Sequence, residues 1–172
     1  MKVTFVNLNF VVQANDKFTT GIVYMPIGLS YILGYFKSKN VDYDLIDLFG
    51  LNPNSYKKDG KFMILGEDPT KVINHLDDST KIIFIFANHL INHISLVKVI
   101  NSIKSHNNSI KICVIENTQA VTAYALRPVK DEFFSLGVDY LLTGYSEISA
   151  FGLYSLLNNK KISELNSIPG LI

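Results

Sequence analysis

Glu116-Asn117-Thr118-Gln119 places a carboxylate, two amides and a hydroxyl directly after an apolar run. Such a set can form a polar floor that hydrogen-bonds a ligand. It can equally start a helix, because Asn117 or Thr118 can serve as a cap. Gly144-Tyr145-Ser146-Glu147 is the second polar cluster. Gly144 permits close backbone approach or a positive φ. Ser146 can cap a helix, Glu147 suits its first turn, and the N–H groups beside them can hold a ligand's polar groups. Asn7, Asn9, Asn88 and His89 are further polar side chains at the ends of apolar runs.

No familiar catalytic set can be assembled from these residues. A phosphoacceptor site of response-regulator type needs acidic residues after the first and third strands and a lysine after the fifth. Asn7, Asn88 and Thr143 stand there instead. The chain has no G-x-G-x-x-G after its first strand and no P-loop. Gly144-Tyr145-Ser146 begins like a nucleophile elbow but continues with Glu147-Ile148. His89 and His93 are four apart and can face one way, yet no nearby carboxylate or thiol completes a metal site. They read as polar residues at a helix start. No catalytic residue and no metal ligand is assigned.

The elements that must position these residues alternate. Val3 to Leu8 is an apolar, β-branched run that reads as a strand buried on both faces. Pro26 opens a helix to about Ser38, with Leu29, Ile32, Leu33 and Phe36 at helical spacing. Asp42 to Leu48 is a second strand. Gly50 to Gly66 is a loop-rich insertion in which Phe62 to Leu65 can form a small extra strand. Asp68 and Pro69 start a helix to about Leu76. Lys81 to Ala87 is the central strand, and a helix follows from about Ile91 to Ser105. Lys111 to Ile115 is a fourth strand, with Cys113 expected to be buried and inert. Gln119 to Leu136 reads as a helix that Pro128 kinks or splits, and Gly137 ends it. Val138 to Thr143 is a fifth strand, and Glu147 to Leu157 the last helix.

Strands separated by helices imply right-handed crossovers and one parallel sheet. The fold predicted is α/β: a flavodoxin-like, doubly wound, five-stranded parallel sheet of order 2-1-3-4-5 in a three-layer α/β/α arrangement. Residues 1–172 form one domain of this kind. Ligands of such sheets bind beyond the carboxyl ends of the strands. Asn7, Asn9, Asn88, His89, Glu116, Asn117 and Gly144 to Glu147 all fall there.

Composition limits the partners. Sixteen basic and fifteen acidic residues leave a formal charge of +1, too little to hold nucleic acid or an anionic membrane. Hydrophobic residues are 48% and charged residues 18%, which supports a folded core. Met1 to Ala14 lacks a basic start beyond Lys2, and Asn7 and Asn9 interrupt it, so it reads as a strand and not a leader. Ile82 to Ile100 carries too many polar groups to span a bilayer. One cysteine excludes a disulfide within the chain and fits a reducing cytoplasm.

Four segments together resemble the N-terminal cobalamin-binding-type domain of B12-dependent radical SAM proteins. Met25-Pro26-Ile27-Gly28-Leu29-Ser30-Tyr31-Ile32 looks like that family's P-x-G-L-x-Y-L helix opening. Val41 to Leu48 is similar to its second strand with an I-D-L end. Gly137-Val138-Asp139-Tyr140 followed by Gly144 to Glu147 resembles its G-V-D-Y…G-x-x-E segment. Ile168-Pro169-Gly170-Leu171 resembles the I-P-G-L tag that leads to the radical SAM barrel.

The resemblance implies a Rossmann-type domain that holds cobalamin over the strand ends. It would present the corrinoid to a radical SAM barrel, in the same or another chain, often for methyl transfer. The ten residues at the strand ends are then the cofactor-binding candidates. Iron–sulfur cluster and S-adenosylmethionine would belong to the barrel, because Cys113 alone cannot supply its three-cysteine motif. The chain stops where the barrel would begin, so a longer parent protein or a stand-alone relative is expected. The family commonly has paired glycines after the fourth strand, where the corrinoid's nucleotide tail passes, and a serine/threonine-rich turn after the third. Here Glu116-Asn117 and Asn88-His89 stand instead. The D-x-H-x-x-G motif is absent after the first strand, as expected of the radical SAM branch. Longer side chains at 116 and 117 would crowd the tail. The alternative implied is a degenerate domain of the same fold that acts in docking or substrate recognition.

Overall fold

The structure, a computed structural model, describes residues 1–15, 26–118 and 124–172. In chain order its regular elements are β1 (Lys2–Asn7), β2 (Phe10–Gln13), α1 (Ile27–Ser38), β3 (Tyr43–Asp47), β4 (Tyr56–Asp59), β5 (Phe62–Leu65), β6 (Thr80–Ala87), α2 (His93–His106), β7 (Lys111–Glu116), α3 (Lys130–Ser135), β8 (Tyr140–Leu142) and α4 (Glu147–Asn158). Short 3₁₀ turns lie at Pro69–His75, Leu90–Asn92, Arg127–Val129 and Ile162–Ser167.

Five strands pair in parallel in the order β3-β1-β6-β7-β8. Whole-chain numbers thus read 3-1-6-7-8, because β2, β4 and β5 interrupt the count. Among the parallel strands alone the succession is second, first, third, fourth, fifth. β6 lies in the middle, and its alternation shows why. Ile83, Ile85 and Ala87 face one core with α2, and Ile82, Phe84 and Phe86 face the other with α1 and α4. Both sets are buried, as a strand covered on both sides requires. Phe5 of β1 stacks on Phe84 at 5.2 Å and meets Phe36 of α1 edge-on at 5.0 Å. No helix among the described residues is long and apolar enough to cross a membrane.

A second, antiparallel sheet runs β2-β5-β4. β5 coincides with the extra strand expected at Phe62 to Leu65. β2 and β4 were not anticipated: Phe10–Gln13 follows β1 too closely to stand out, and the Tyr56–Asp59 strand is polar and mostly exposed. Asp68 caps as expected, accepting from the Thr70 N–H at 3.0 Å, but the following turn is 3₁₀ rather than α. Of the helix expected from Gln119 to Leu136, residues 119–123 lie outside the described part. The remainder holds only the Pro128 turn and the six residues of α3. Pro128 cannot donate to a helix that continues through it.

The chain's last residues run back along β8. Leu141 and Ile172 exchange backbone hydrogen bonds of 3.0 and 2.9 Å, and Thr143 N–H donates to Gly170 O at 3.0 Å. A Cβ on Gly170 would lie 2.2 Å from Thr143 O at a φ of +75°, so only glycine permits this approach.

Asp139 joins the opposite, amino ends of the strands. It accepts from Lys104 (2.9 Å), Lys111 (2.7 Å) and the Ile112 N–H (3.0 Å). Burial works against its charge, but these donors win and hold the carboxyl below its ordinary value. A carboxyl lowered in the fold adds stability above its unfolded pKa, and that stability is lost as pH falls through the folded value. Asp139→Asn should therefore cost about 1–3 kcal/mol near neutral pH. Its thermal midpoint should converge with the natural chain's as pH falls below about 4. Melting curves across pH check both. Cys113 is fully buried, and burial pushes its thiol well above the ordinary value. A thiol reagent should leave the native protein unmodified and react fully only after denaturation.

Candidate functional site

The carboxyl ends of the parallel strands do gather the polar residues expected there, but as two separate groups. Asn7, Asn9, Asn88 and His89 border a cleft of about 220 Å³ over the ends of β1, β3 and β6. Glu116, Asn117 and Gly144 to Glu147 border a notch of about 10 Å³ beside β7 and β8. Asn117 joins the two groups, its amide donating to Asn88 O at 3.0 Å and Asn88 Oδ1 at 3.1 Å.

Glu116 ends β7 and projects between two loops. Its Oε1 accepts from the Leu126 N–H and its Oε2 from the Gly144 N–H, each at 3.0 Å. Both carboxylate oxygens thus serve backbone amides that must find acceptors. The notch left beside it has room for roughly one water. A nucleotide tail does not fit it as it stands. Gly144 takes a φ of +81°, and a Cβ there would meet nothing within 4 Å. Tyr145 is 78% exposed. Ser146 occupies the cap position of α4 but does not cap it. Its hydroxyl donates to Gly144 O at 3.0 Å instead, so the expected cap is corrected to a turn bond. Glu147 lies in the first turn of α4, where a negative charge suits the helix dipole.

Asn9 is fully committed as well. Its amide nitrogen donates to Leu65 O and Glu67 O, and its oxygen accepts from the Ser95 hydroxyl at 2.7 Å. It fastens the antiparallel sheet to α2. Asn7 donates to Asp47 Oδ1 at 2.9 Å. Burial lowers the His89 pKa and favours the neutral ring.

His93 does not share a helical face with His89, whose backbone is extended ahead of the 3₁₀ turn. Its Nδ1 lies 2.6 Å from the Tyr124 hydroxyl and its Nε2 3.1 Å from Glu132 Oε1. A carboxylate only accepts, so Nε2 carries a proton toward Glu132. Burial and then the Glu132 charge push Tyr124 up to about 12, which keeps the phenol protonated. Sequence reading missed this chain of contacts, because His93, Tyr124 and Glu132 lie far apart in the chain and residue type alone does not pair them. Among the described residues no group of three or more His, Cys, Asp or Glu could hold a metal ion.

The chain matches no protein-family model, and no curated protein and no solved structure matches it.

The Glu116 geometry generates a test of its own. Glu116→Ala leaves two amides without their acceptor and should cost about 2 kcal/mol or more. Glu116→Gln keeps one carbonyl acceptor and should cost less. Chemical denaturation of both variants measures the difference, and equal stability of Glu116→Ala and the natural chain would show that the bridge is not formed.

Proposed function

We propose that this chain is a domain of the cobalamin-binding type that works as a docking or substrate-recognition module beside a radical SAM barrel, in the same or another cytoplasmic chain, without holding corrinoid itself. The family assignment rests on the four sequence segments and is compatible with the strand order. The single observation that carries the functional reading is the Glu116 bridge. A corrinoid's tail needs an open path past the end of the fourth parallel strand. Here that path is a notch of about 10 Å³ closed by a side chain that two loops hold in place. Opening it means releasing both amides, at about 1–3 kcal/mol each unless they find new partners.

The corrinoid-presenting reading has one observation in its favour. Gly144 leaves open space beside the same path, as a passing ligand would require. In that reading the domain would offer a corrinoid to the barrel for methyl transfer, and the barrel would carry the iron–sulfur cluster and S-adenosylmethionine.

Titration of the chain with hydroxocobalamin, followed by visible absorption and equilibrium dialysis, decides between them. No saturable binding at micromolar concentration is expected. A Glu116→Gly, Asn117→Gly double variant should gain affinity, provided its circular dichroism matches that of the natural chain. Saturable micromolar binding by the natural chain, weakened in the double variant, would make these side chains corrinoid contacts and overturn the proposal.

A further inference from the structure

α1 and α4 lie side by side on one face of the parallel sheet, and their buried residues share one core. Their outer surfaces are short of charge. Across both helices the charged side chains are Lys37 and Glu147 alone. α2, on the opposite face, carries Lys98 and Lys104 between two histidines. Large apolar groups face solvent where charges are usual: Ile27 is 54% exposed, Tyr31 60%, Tyr145 78% and Ile148 69%. They belong to one patch. Gly28 and Tyr145 border the same notch, and farther along Tyr35 of α1 meets Phe151 of α4 with ring centres 5.6 Å apart. The four side chains expose roughly 600 Å² between them, the upper end for a patch on a lone chain.

Gly34 lies on the same exposed strip of α1, one helical turn after Tyr31. Inside a helix glycine is less stable than alanine. Nothing within the chain accounts for it, because a Cβ at 34 would meet no atom within 4 Å. What glycine adds there is room for a second backbone to come close. Ser30 and Ser38 flank it and donate their hydroxyls back to Pro26 O and Tyr35 O, at 3.3 and 2.7 Å, so the strip offers little polarity outward. The charges around the patch are sorted by sign. Lys37, Lys39 and Lys160 stand at the C-terminal ends of the two helices, with Lys39 Nζ 5.2 Å from the Tyr35 ring centre. Glu147 stands at the N-terminal end of α4, about 18 Å away along the helix axes.

We infer that this face joins two copies of the chain, with α1 and α4 of one protomer packed antiparallel on those of its partner about a two-fold axis close to Gly34. A two-fold contact uses one patch twice, so the patch must complement itself. Antiparallel pairing achieves this here. It sets Glu147 of each copy beside the lysines of the other, and it opposes the helix dipoles favourably. Parallel pairing would set lysine against lysine. An interface of standard size takes about 800 Å² from each partner, and the four apolar side chains supply most of it. Exposed tyrosine and scarce charge are what the centre of such an interface carries. The glycine then has its reason, as the point where the two α1 helices cross. This inference goes beyond the recognition-module reading and does not rest on it.

Sedimentation equilibrium of the full chain across the micromolar range tests this. The average mass should rise with concentration from the 19.3 kDa of one chain toward double that value and stop there. Gly34→Leu fits the free chain and favours the helix, so at low concentration it should melt no lower than the natural protein. It should nonetheless weaken association at least tenfold, as should Tyr31→Arg. Lys39→Glu and Glu147→Lys should each weaken association, and the double variant should regain most of the loss. Circular dichroism matching the natural chain keeps each comparison valid. Gly34→Leu and Tyr31→Arg carry the test if a charge reversal does not fold. A chain that stays monomeric at high micromolar concentration overturns the inference and leaves the face to a different partner. A dimer that Gly34→Leu and Tyr31→Arg leave intact overturns it, and so does a folded double reversal that associates no better than the single ones. None of these outcomes bears on the module reading, which only corrinoid binding overturns.

Discussion

The carboxylate of Glu116 is the contact around which the carboxyl edge of the sheet is arranged. It reaches the backbone 10 residues ahead, at Leu126, and 28 residues ahead, at Gly144. It thus ties the end of β7 to the approach to α3 and to the turn before α4. Loops that leave a parallel sheet carry amides without strand partners, and these need an acceptor from a ligand, from water or from the protein. Here the protein supplies it as a charge, which makes a stronger hydrogen bond than a neutral acceptor would. The consequence is that the Leu126 and Gly144 N–H groups, which could have received a ligand's oxygens, are already engaged.

Asparagine plays the complementary part at the other strand ends. Its side chain both donates and accepts, so it can join two segments that each lack a different partner. Asn9 does this completely, taking two carbonyls and one hydroxyl. Asn117 ties the end of β7 to Asn88. Asn7 completes only the donor half of this pattern, and Asn92 leaves its oxygen over. The same residue type therefore closes one part of the edge and leaves unspent polarity in another.

These differences explain what could be read from the residues alone. The parallel strands were legible because β-branched and apolar runs such as Lys81 to Ala87 can be buried only between two layers. The helices α1, α2 and α4 carry apolar residues at helical spacing, and the structure agrees to within two residues at their ends. β4 was not legible, because a short, mostly exposed run rich in polar residues pairs as a strand only when β5 is already beside it. The identity of the strand-end residues was legible too, but not their roles. Whether Glu116 meets a ligand or a backbone amide depends on Leu126 and Gly144, whose N–H groups leave no trace in residue type. Tyr124 was hidden for the same reason, since its partner His93, and the Glu132 that His93 meets in turn, come from two different helices.

The position of the open cleft follows from topology more than from any one side chain. In a doubly wound sheet the connections on either side of the switch point leave toward opposite faces, and the strand ends between them stay uncovered. Here that point lies between β1 and β6, and the cleft sits over it. The antiparallel sheet then determines how wide the cleft can be. Gly66, at a φ of +109°, brings the end of β5 against Leu48 and Phe49, and a Cβ there would lie 2.5 Å from Leu48 O and 3.0 Å from the Asn9 amide. Glu67 N–H donates to Leu48 O at 2.7 Å across the same junction. The glycine, the backbone bond and the Asn9 clamp thus hold Phe10 and Phe49 at one distance from the strand ends.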